Sequence, residues 1–141
     1  MPSEDSYDLE RFLSAQADTY DPALEELRRG RKQSHWMWYV FPQVAGLGHS
    51  PTSRHYALSG TTEARAYLDH PVLGARLLEC ARALTALTES DPVRVLGPTD
   101  AAKLRSSMTL FAHVAPEQPL FTQVLDHYFG GEPDPATLER L

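Results

Sequence analysis

Only one cysteine, Cys80, occurs in the sequence, so no disulfide can form within a single chain. Long apolar runs are also missing, since the longest, over residues 36–41, is far too short to cross a bilayer. The N-terminal residues are acidic and offer neither the basic region nor the apolar region of a signal peptide. These absences argue against a disulfide-stapled secreted domain, and we expect a cytoplasmic protein without a membrane segment.

The size and composition are typical of one globular domain. The 141 residues are 42% hydrophobic and 23% charged, which are ordinary values for a chain that buries a core of its own. We therefore treat residues 1–141 as a single domain with an acidic tail over about residues 1–7. No internal repeat and no low-complexity tract interrupts the sequence.

The charge is negative overall but uneven along the chain. A net charge of −6 argues against general binding to nucleic acid. The segment from Arg28 to Arg65 carries six basic residues and one acid, Glu63, so it is electropositive within an acidic protein. These cations either lie on a solvated face or form a site for an anionic ligand, and the sequence leaves both interpretations open.

Proline follows a residue that can cap a helix at four places, with a weaker fifth case at Gln118-Pro119. Proline at the first helical position loses no needed N–H, and the residue before it can accept bonds from the unpaired amides of the first turn. Each pair therefore predicts a helix start, and the four are Asp21-Pro22, His70-Pro71, Asp91-Pro92 and Asp134-Pro135.

Helical spacing of apolar residues supports these starts and adds others. We predict helices over about 8–17, 21–30, 61–69, 71–88, 92–97, from Thr99 onward, 119–129 and 134–141. The short apolar run over 34–41 fits a buried helix or a strand, and we favour a short helix that ends at Pro42. A segment with loop composition separates two of them, and it contains Gly46, Gly48, Ser50, Pro51 and Ser53. The fold class is therefore mainly α: one compact domain of about seven or eight short-to-medium helices with one long Gly/Ser-rich loop.

Both tryptophans lie in one aromatic stretch between the cationic segment and this loop. On a helical turn, Trp36 shares one side with Tyr39 and Val40, and Trp38 faces another side. Aromatic side chains of this size are part of the core in most domains. An aromatic ring that faces the loop beside a cation could instead stack on a base while the cation binds phosphate. Core and pocket wall both remain possible for this stretch.

Other residue types form no catalytic motif. The histidines lack metal-binding spacing, so we expect neither a metal nor a cofactor. Cys80 lies on the apolar stripe of the longest predicted helix, where a buried thiol is inert. The stretch D-H-Y-F-G-G-E-P-D over 126–134 ends one helix and starts the next. Within it, Asp126 or Glu132 could also supply a carboxylate general base or hold a ribose hydroxyl.

Five motifs are spread over nearly the whole chain. They are D-L-x-R-F-x-x-A-Q at 8–16, G-R-K-x-S-H-W-M-W-Y-V-F-P-Q at 30–43, H-P-V-L-G-x-R-L at 70–77, K-L-x-S-S-M-T-L-F at 103–111 and D-x-Y-F-x-G at 126–131. Together they resemble bacterial domain-of-unknown-function family 1810. The resemblance implies a small, mainly helical protein without an established activity. Such proteins are sometimes labelled calpastatin in bacterial genomes, although no repeat of that inhibitor occurs here.

A fainter similarity concerns three shorter motifs, which are P-T-S-x-H-Y at 51–56, K-L-x-x-S-M at 103–108 and D-x-Y-F-G at 126–130. Their order is similar to that in NADAR proteins, ADP-ribose-related N-glycosidases with an S-E-H-Y-like motif. Arg54 stands where that motif carries its acid. The similarity implies a related pocket, and in a glycosidase Asp126 or Glu132 would replace the missing acid.

From these features we predict that the protein binds a small nucleotide-like or ADP-ribose-like anion between the central loop and the C-terminal helices. The cations of the site would bind phosphate, the tryptophan would stack, and the acid and tyrosine of the last motif would hold sugar hydroxyls. The predicted ligand-binding residues are Lys32, Trp38, Arg54, His55, Tyr56, Asp126 and Tyr128. Two alternatives stay open: an N-glycosidase acting on ADP-ribosyl or nucleotide substrates, and a non-catalytic protein-interaction module.

Overall fold

A computed structural model describes residues 7–141, so the acidic tail predicted over about 1–7 lies almost wholly outside the described residues. Within residues 7–141 the chain forms ten helices and no strand, which confirms the mainly helical class. The helices are α1 (Glu10–Gln16), α2 (Tyr20–Arg29), α3 (Met37–Val40), α4 (Pro51–Tyr56), α5 (Thr61–Asp69), α6 (Leu73–Thr85), α7 (Pro92–Leu96), α8 (Pro98–Val114), α9 (Leu120–Phe129) and α10 (Pro135–Leu138). None of the helices in this described part is long and apolar enough to cross a membrane.

Three of the predicted cap-and-proline pairs begin helices through their side chains. Asp91 accepts a hydrogen bond from the amide of Val93 at the start of α7. Asp134 does the same for Thr137 in α10. Before α6, the Nδ1 atom of His70 accepts from two successive backbone amides. Since these donors have no partner within the helix, the side chains satisfy groups that would otherwise need water.

Two predicted helix starts are displaced. α2 begins at Tyr20, so the pair Asp21-Pro22 lies inside its first turn instead of before it. α8 begins at Pro98 after Gly97, and Thr99 therefore does not cap it. In both helices proline still occupies the first turn, where its missing N–H costs nothing.

The extent of the central loop was predicted wrongly. Pro51 and Ser53 belong to α4, and the hydroxyl of Ser50 caps this helix by accepting from the amide of Ser53 at 3.1 Å. Ser50-Pro51 is another cap followed by proline, but the neighbouring glycines and serines gave the stretch the composition of a loop. The irregular segment is thus limited to residues between α3 and α4.

The core is built around α6, α8 and α9, with α5 packed against the first two. An aromatic series runs through it: Phe12 meets Tyr67 edge-on at 5.0 Å, Tyr67 lies 5.8 Å from Phe111, and Phe111 lies 5.6 Å from Phe121. Trp36 is only 1% exposed and belongs to the same core. The predicted helical phase of the aromatic stretch is correct, because Trp36 is buried while Trp38 is only partly buried.

Arg11 ties α1 to the end of α4. Its guanidinium donates to the carbonyl oxygens of His55 and Ala57 and forms an ion pair of 2.8 Å with Glu63. The other oxygen of Glu63 accepts from the amide of Ser59. Both charged side chains are largely buried, so each is satisfied by the other and by backbone groups. This pair fixes the backbone of residues 55–59, which faces the central loop.

Cys80 lies in the core, as its position on the predicted stripe of α6 indicated. Burial raises the pKa of its thiol to about 12, so the reactive thiolate is scarce at neutral pH. We expect a thiol reagent to label the native protein slowly and the urea-unfolded protein rapidly, as measured by reaction with Ellman's reagent. Fast labelling of the native protein would contradict both the burial and the phase of α6.

Candidate ligand-binding cleft

A cavity of about 670 Å³ forms a cleft between the central loop and α10. The loop side is anchored to the segment after α4, because the amide of Ala45 donates to Leu58 at 2.7 Å and the amide of Leu58 donates to Gln43 at 2.9 Å. These bonds make the isolated bridge between Val44 and Leu58. The lining residues are Val44, Ala45, Gly46, Leu47, Ser59, Ala136, Glu139 and Arg140.

The opposite wall, α10, has only four residues and is held in place by polar groups of α8. The hydroxyls of Ser106 and Thr137 are hydrogen-bonded at 2.7 Å in a buried contact. The hydroxyl of Thr109 accepts from the amide of Asp134 at 2.8 Å. Arg105 donates to two successive carbonyl oxygens just before α10. A single helical turn is marginal alone, so these bonds determine where the wall of the cleft stands.

Arg140 reaches across the cleft and lies against Gly46. A Cβ atom built on Gly46 would lie 2.3 Å from Nη1 of Arg140, so a side chain at this position would have to displace the guanidinium. The positive φ of 98° at Gly46 also favours glycine. Within residues 7–141 the guanidinium has no hydrogen-bond acceptor and no acid within ion-pair distance. Arg140 is thus an exposed cation of the cleft, and its donors have no acceptor among residues 7–141.

Other polar groups of the cleft also lack hydrogen-bond or ion-pair partners among the described residues. The carboxylate of Glu139 is exposed, and no partner for it is found among the described residues, Arg140 included. The backbone amides of Gly46 and Leu47 also lack an acceptor within the described part of the chain. Ser59 adds a hydroxyl to the same lining. Chemically, the cleft offers one guanidinium, one carboxylate and several neutral donors.

Lys32, predicted to bind phosphate, is already engaged within the protein. Its ammonium forms an ion pair of 2.8 Å with Asp100 and lies 5.0 Å from the ring centroid of Trp36. The side chain is only 7% exposed. A cation enclosed in this way stabilises the packing of the aromatic stretch against α8.

Trp38 and Tyr56 are brought together, but around a space too small for a base. Both line a cavity of about 10 Å³ beneath the central loop, close to the volume needed for one water molecule. The ammonium of Lys103 covers the indole at 4.5 Å. The indole Nε1 of Trp38 is buried and finds no acceptor among residues 7–141. This small cavity shares Val44 with the cleft, so the two adjoin through the loop.

Arg54 and His55 lie on the exposed side of α4. The guanidinium of Arg54 has no partner within the described residues, and the ring of His55 meets Tyr56 edge-on at 4.6 Å. Arg54 therefore remains available to an anion, although it does not line the cleft itself.

Asp126 and Tyr128 lie on α9 and are not part of the cleft lining. The phenol of Tyr128 is buried and donates to the carbonyl oxygen of Leu84, and burial together with the charge of Glu89 raises its pKa to about 12. Asp126 is exposed, with its carboxylate beside Gly131. Tyr128 thus belongs to the packing of α9 against α6, and Asp126 lies on the exposed surface of α9.

Comparison with known proteins places the chain in a family. A family model described as a protein of unknown function (DUF1810) matches residues 6–141. The chain belongs to the DUF1810 family. It is similar to a solved crystal structure, the conserved hypothetical protein Rv1873 from Mycobacterium tuberculosis, at 46% identity, with 97% of this chain and 98% of that chain covered and a TM-score of 0.95. No curated protein sequence matches it significantly. The similarity to NADAR proteins remains a prediction.

The family motifs of this DUF1810 chain contain several of its internal polar contacts. Arg11 belongs to the first motif and makes the ion pair with Glu63. Gln16, in the same motif, donates to the carbonyl oxygen of Tyr39 and accepts from Arg76. Lys32 belongs to the second motif and pairs with Asp100. Much of the resemblance therefore rests on residues that hold the fold together.

The local excess of positive charge in the DUF1810 chain is largely neutralised in three dimensions. Acids from other helices reach it, since Asp100 of α8 pairs with Lys32 and Glu79 of α6 lies 3.7 Å from Arg28. Arg29 and Arg65 also have acidic partners. Of the six cations from Arg28 to Arg65, Arg31 and Arg54 have side chains without a partner in the described chain. The charge pattern alone is thus weak support for a ligand.

Sequence reasoning missed the cleft residues of α10. Glu139 and Arg140 follow the predicted helix start at Asp134-Pro135, but nothing near them in the sequence marks a site. Gly46, which lies against Arg140, was predicted only as a loop residue. The contact between them joins distant parts of the sequence, and one chain gives no signal for such a pairing.

Proposed function

We propose that this DUF1810 protein binds a small anionic ligand of the nucleotide or ADP-ribose type in the cleft between the central loop and α10. The observation that carries the proposal is Arg140, whose guanidinium lies against Gly46 in the cleft lining while its donors have no acceptor in the described chain. A volume of about 670 Å³ is within the usual range for small-molecule sites.

Arg140 would bind a phosphate group of the ligand. A guanidinium presents a planar set of donors that matches phosphate oxygens in pairs. The unpaired amides of Gly46 and Leu47 add neutral donors on the facing wall. Arg54, which is exposed on α4, supplies a second positive charge that attracts the anion.

The other predicted binding residues have supporting roles in this proposal. Trp38 and Tyr56 line the small cavity beneath the loop together with Val44, and His55 packs on Tyr56. Lys32 is committed to Asp100. In this proposal the ligand is therefore contacted by the loop backbone and by residues at the end of α10, and not by the aromatic stretch as predicted from the sequence.

The two alternatives have less support. The N-glycosidase alternative takes its acid from Asp126 or Glu132, and both are exposed and outside the cleft lining. An interaction module usually presents a continuous apolar patch. The large apolar side chains exposed in the described chain lie on separate elements, and they are Val72, Val93 and Leu138.

Replacing Arg140 with glutamine tests the proposal. Charge-assisted hydrogen bonds contribute about 1.5–3 kcal/mol each, so Arg140→Gln should weaken binding roughly ten-fold to more than a hundred-fold. Titrations of ADP-ribose, NAD and AMP by calorimetry measure the affinity, which should also fall as salt is raised.

Arg31→Gln is the matched control, since Arg31 is also an exposed cation without a side-chain partner among residues 7–141 but lies outside the cleft. It should leave the affinity within about two-fold of wild type, because a distant exposed charge is screened. If none of the three ligands binds at millimolar concentration, or if the two variants lose affinity equally, the proposal is wrong.

A further inference from the structure

Glu139 distinguishes the cleft from a simple anion site. Together with Arg140 it makes up all the ionisable side chains of the cleft lining. We infer that the ligand carries a ribose diol beside its phosphate and that Glu139 accepts hydrogen bonds from the diol. This inference rests on the proposed function and specifies the ligand class of the same site.

The two charges are available to one ligand at the same time. Glu139 and Arg140 are consecutive residues at the end of α10, and both line the cleft. They do not form an ion pair with each other, and neither side chain has a partner elsewhere in residues 7–141. A bound ligand therefore need not break an ion pair or hydrogen bond of either side chain to reach both groups.

The charges select against a purely anionic ligand. An ionised carboxylate only accepts hydrogen bonds, so Glu139 needs a hydroxyl or amino donor from whatever occupies the cleft. Pyrophosphate lacks the sugar hydroxyls and places negative charge near a like charge, which is unfavourable. A ribose offers two adjacent hydroxyls next to its phosphate, and an acidic side chain that binds ribose hydroxyls is a common device in nucleotide sites.

The cleft has room for this arrangement. Its volume of about 670 Å³ accommodates a phosphate and a sugar together. Its walls are otherwise backbone and small or aliphatic side chains, so the lining includes no aromatic ring on which a base could stack. Recognition would therefore be concentrated on the sugar and the phosphate, with the base contributing little.

A pair of ligands that differ by one hydroxyl tests the inference. We expect wild-type protein to bind AMP about ten-fold or more tightly than 2′-deoxy-AMP, since a hydrogen bond to a charged group is lost. Glu139→Gln should reduce this preference to about three-fold or less and should bind pyrophosphate several-fold more tightly, because the repulsion is removed. Calorimetric titration of the three ligands gives each affinity.

Glu25→Gln is the matched control, because Glu25 is an exposed acid on α2, far outside the cleft lining. It should preserve the preference for AMP. If Glu139→Gln changes the three affinities by the same factor, or if wild type binds 2′-deoxy-AMP as tightly as AMP, the ribose role of Glu139 is wrong while the dependence on Arg140 can still hold. If wild type binds none of the three ligands, the inference and the proposed function fail together.

Discussion

Replacing Gly74 with alanine should destabilise the protein by about 3 kcal/mol or more, the upper end of the range for overpacking. In an exposed helix the same change usually stabilises by about 0.5–1 kcal/mol, so even the sign of the effect is informative. Gly74 is buried in α6, and a Cβ atom there would lie 1.9 Å from the carbonyl oxygen of Leu68 in the last turn of α5. A backbone oxygen cannot rotate away as a side chain can, so the two helices would have to separate.

Urea unfolding of Gly74→Ala measures this loss, and Gly60→Ala is its control. Gly60 precedes α5 with an extended backbone, and nothing lies within 4 Å of an added Cβ atom. The control should therefore change the free energy of unfolding by less than about 1 kcal/mol. A stable Gly74→Ala protein would mean that α5 and α6 do not approach as closely as described.

Replacing Glu26 with alanine should cost about 3 kcal/mol. The buried carboxylate, 4% exposed, accepts from the indole of Trp36 at 2.9 Å and from the amides of Gln33 and Ser34 at 2.8 and 3.0 Å. The hydroxyl of Ser34 donates to its other oxygen. Removing the carboxylate leaves the indole N–H buried without an acceptor, and an unsatisfied buried donor costs about 1–3 kcal/mol beyond the lost bonds.

Protonation of the same carboxylate makes the free energy of unfolding depend on pH in the acid range. Burial opposes its ionisation, but the four hydrogen bonds outweigh burial and lower the pKa of Glu26 from 4.5 to about 2. A depressed pKa in the folded state means that this stabilisation is complete above about pH 4.5 and is lost as the pH falls toward 2. The loss should amount to about 3 kcal/mol.

Urea unfolding between pH 2 and pH 7 measures this contribution. Glu26→Gln keeps the shape of the side chain but cannot ionise, so its stability should fall less steeply than that of wild type below about pH 4.5. Parallel curves for wild type and Glu26→Gln would show that the ionised carboxylate does not stabilise the fold.

Local signals in the sequence were sufficient for most helices and for the core. Proline pairs such as Asp91-Pro92 and Asp134-Pro135 mark helix starts because capping depends on neighbouring residues. The buried side of α6 follows from the spacing of its apolar residues, Cys80 included. These local signals did not predict α4, because a helix of six residues shows too little apolar periodicity to outweigh its loop-like composition.

The polar contacts could not be predicted because their partners are distant in sequence. Lys32 was assigned to a ligand, yet its charge is matched by Asp100, which only the packing of α8 brings near. A ligand pocket was predicted between the central loop and the C-terminal helices; a cleft lies between that loop and α10, and ligand binding there stays a prediction. The residues that line the cleft were not predicted, since the contact of Arg140 with Gly46 depends on where α8 holds α10.

The central claim is that an anion binds beside Arg140, and a two-dimensional NMR titration with ADP-ribose tests it most directly. Because the ligand would occupy the cleft, the amide signals of Gly46, Leu47 and Ser59 and the guanidinium Nε–H of Arg140 should shift together along one saturable curve. No saturable shift at these positions would contradict the account. So would shifts confined to the groove between α2 and α6, where Arg28 and Arg82 lie.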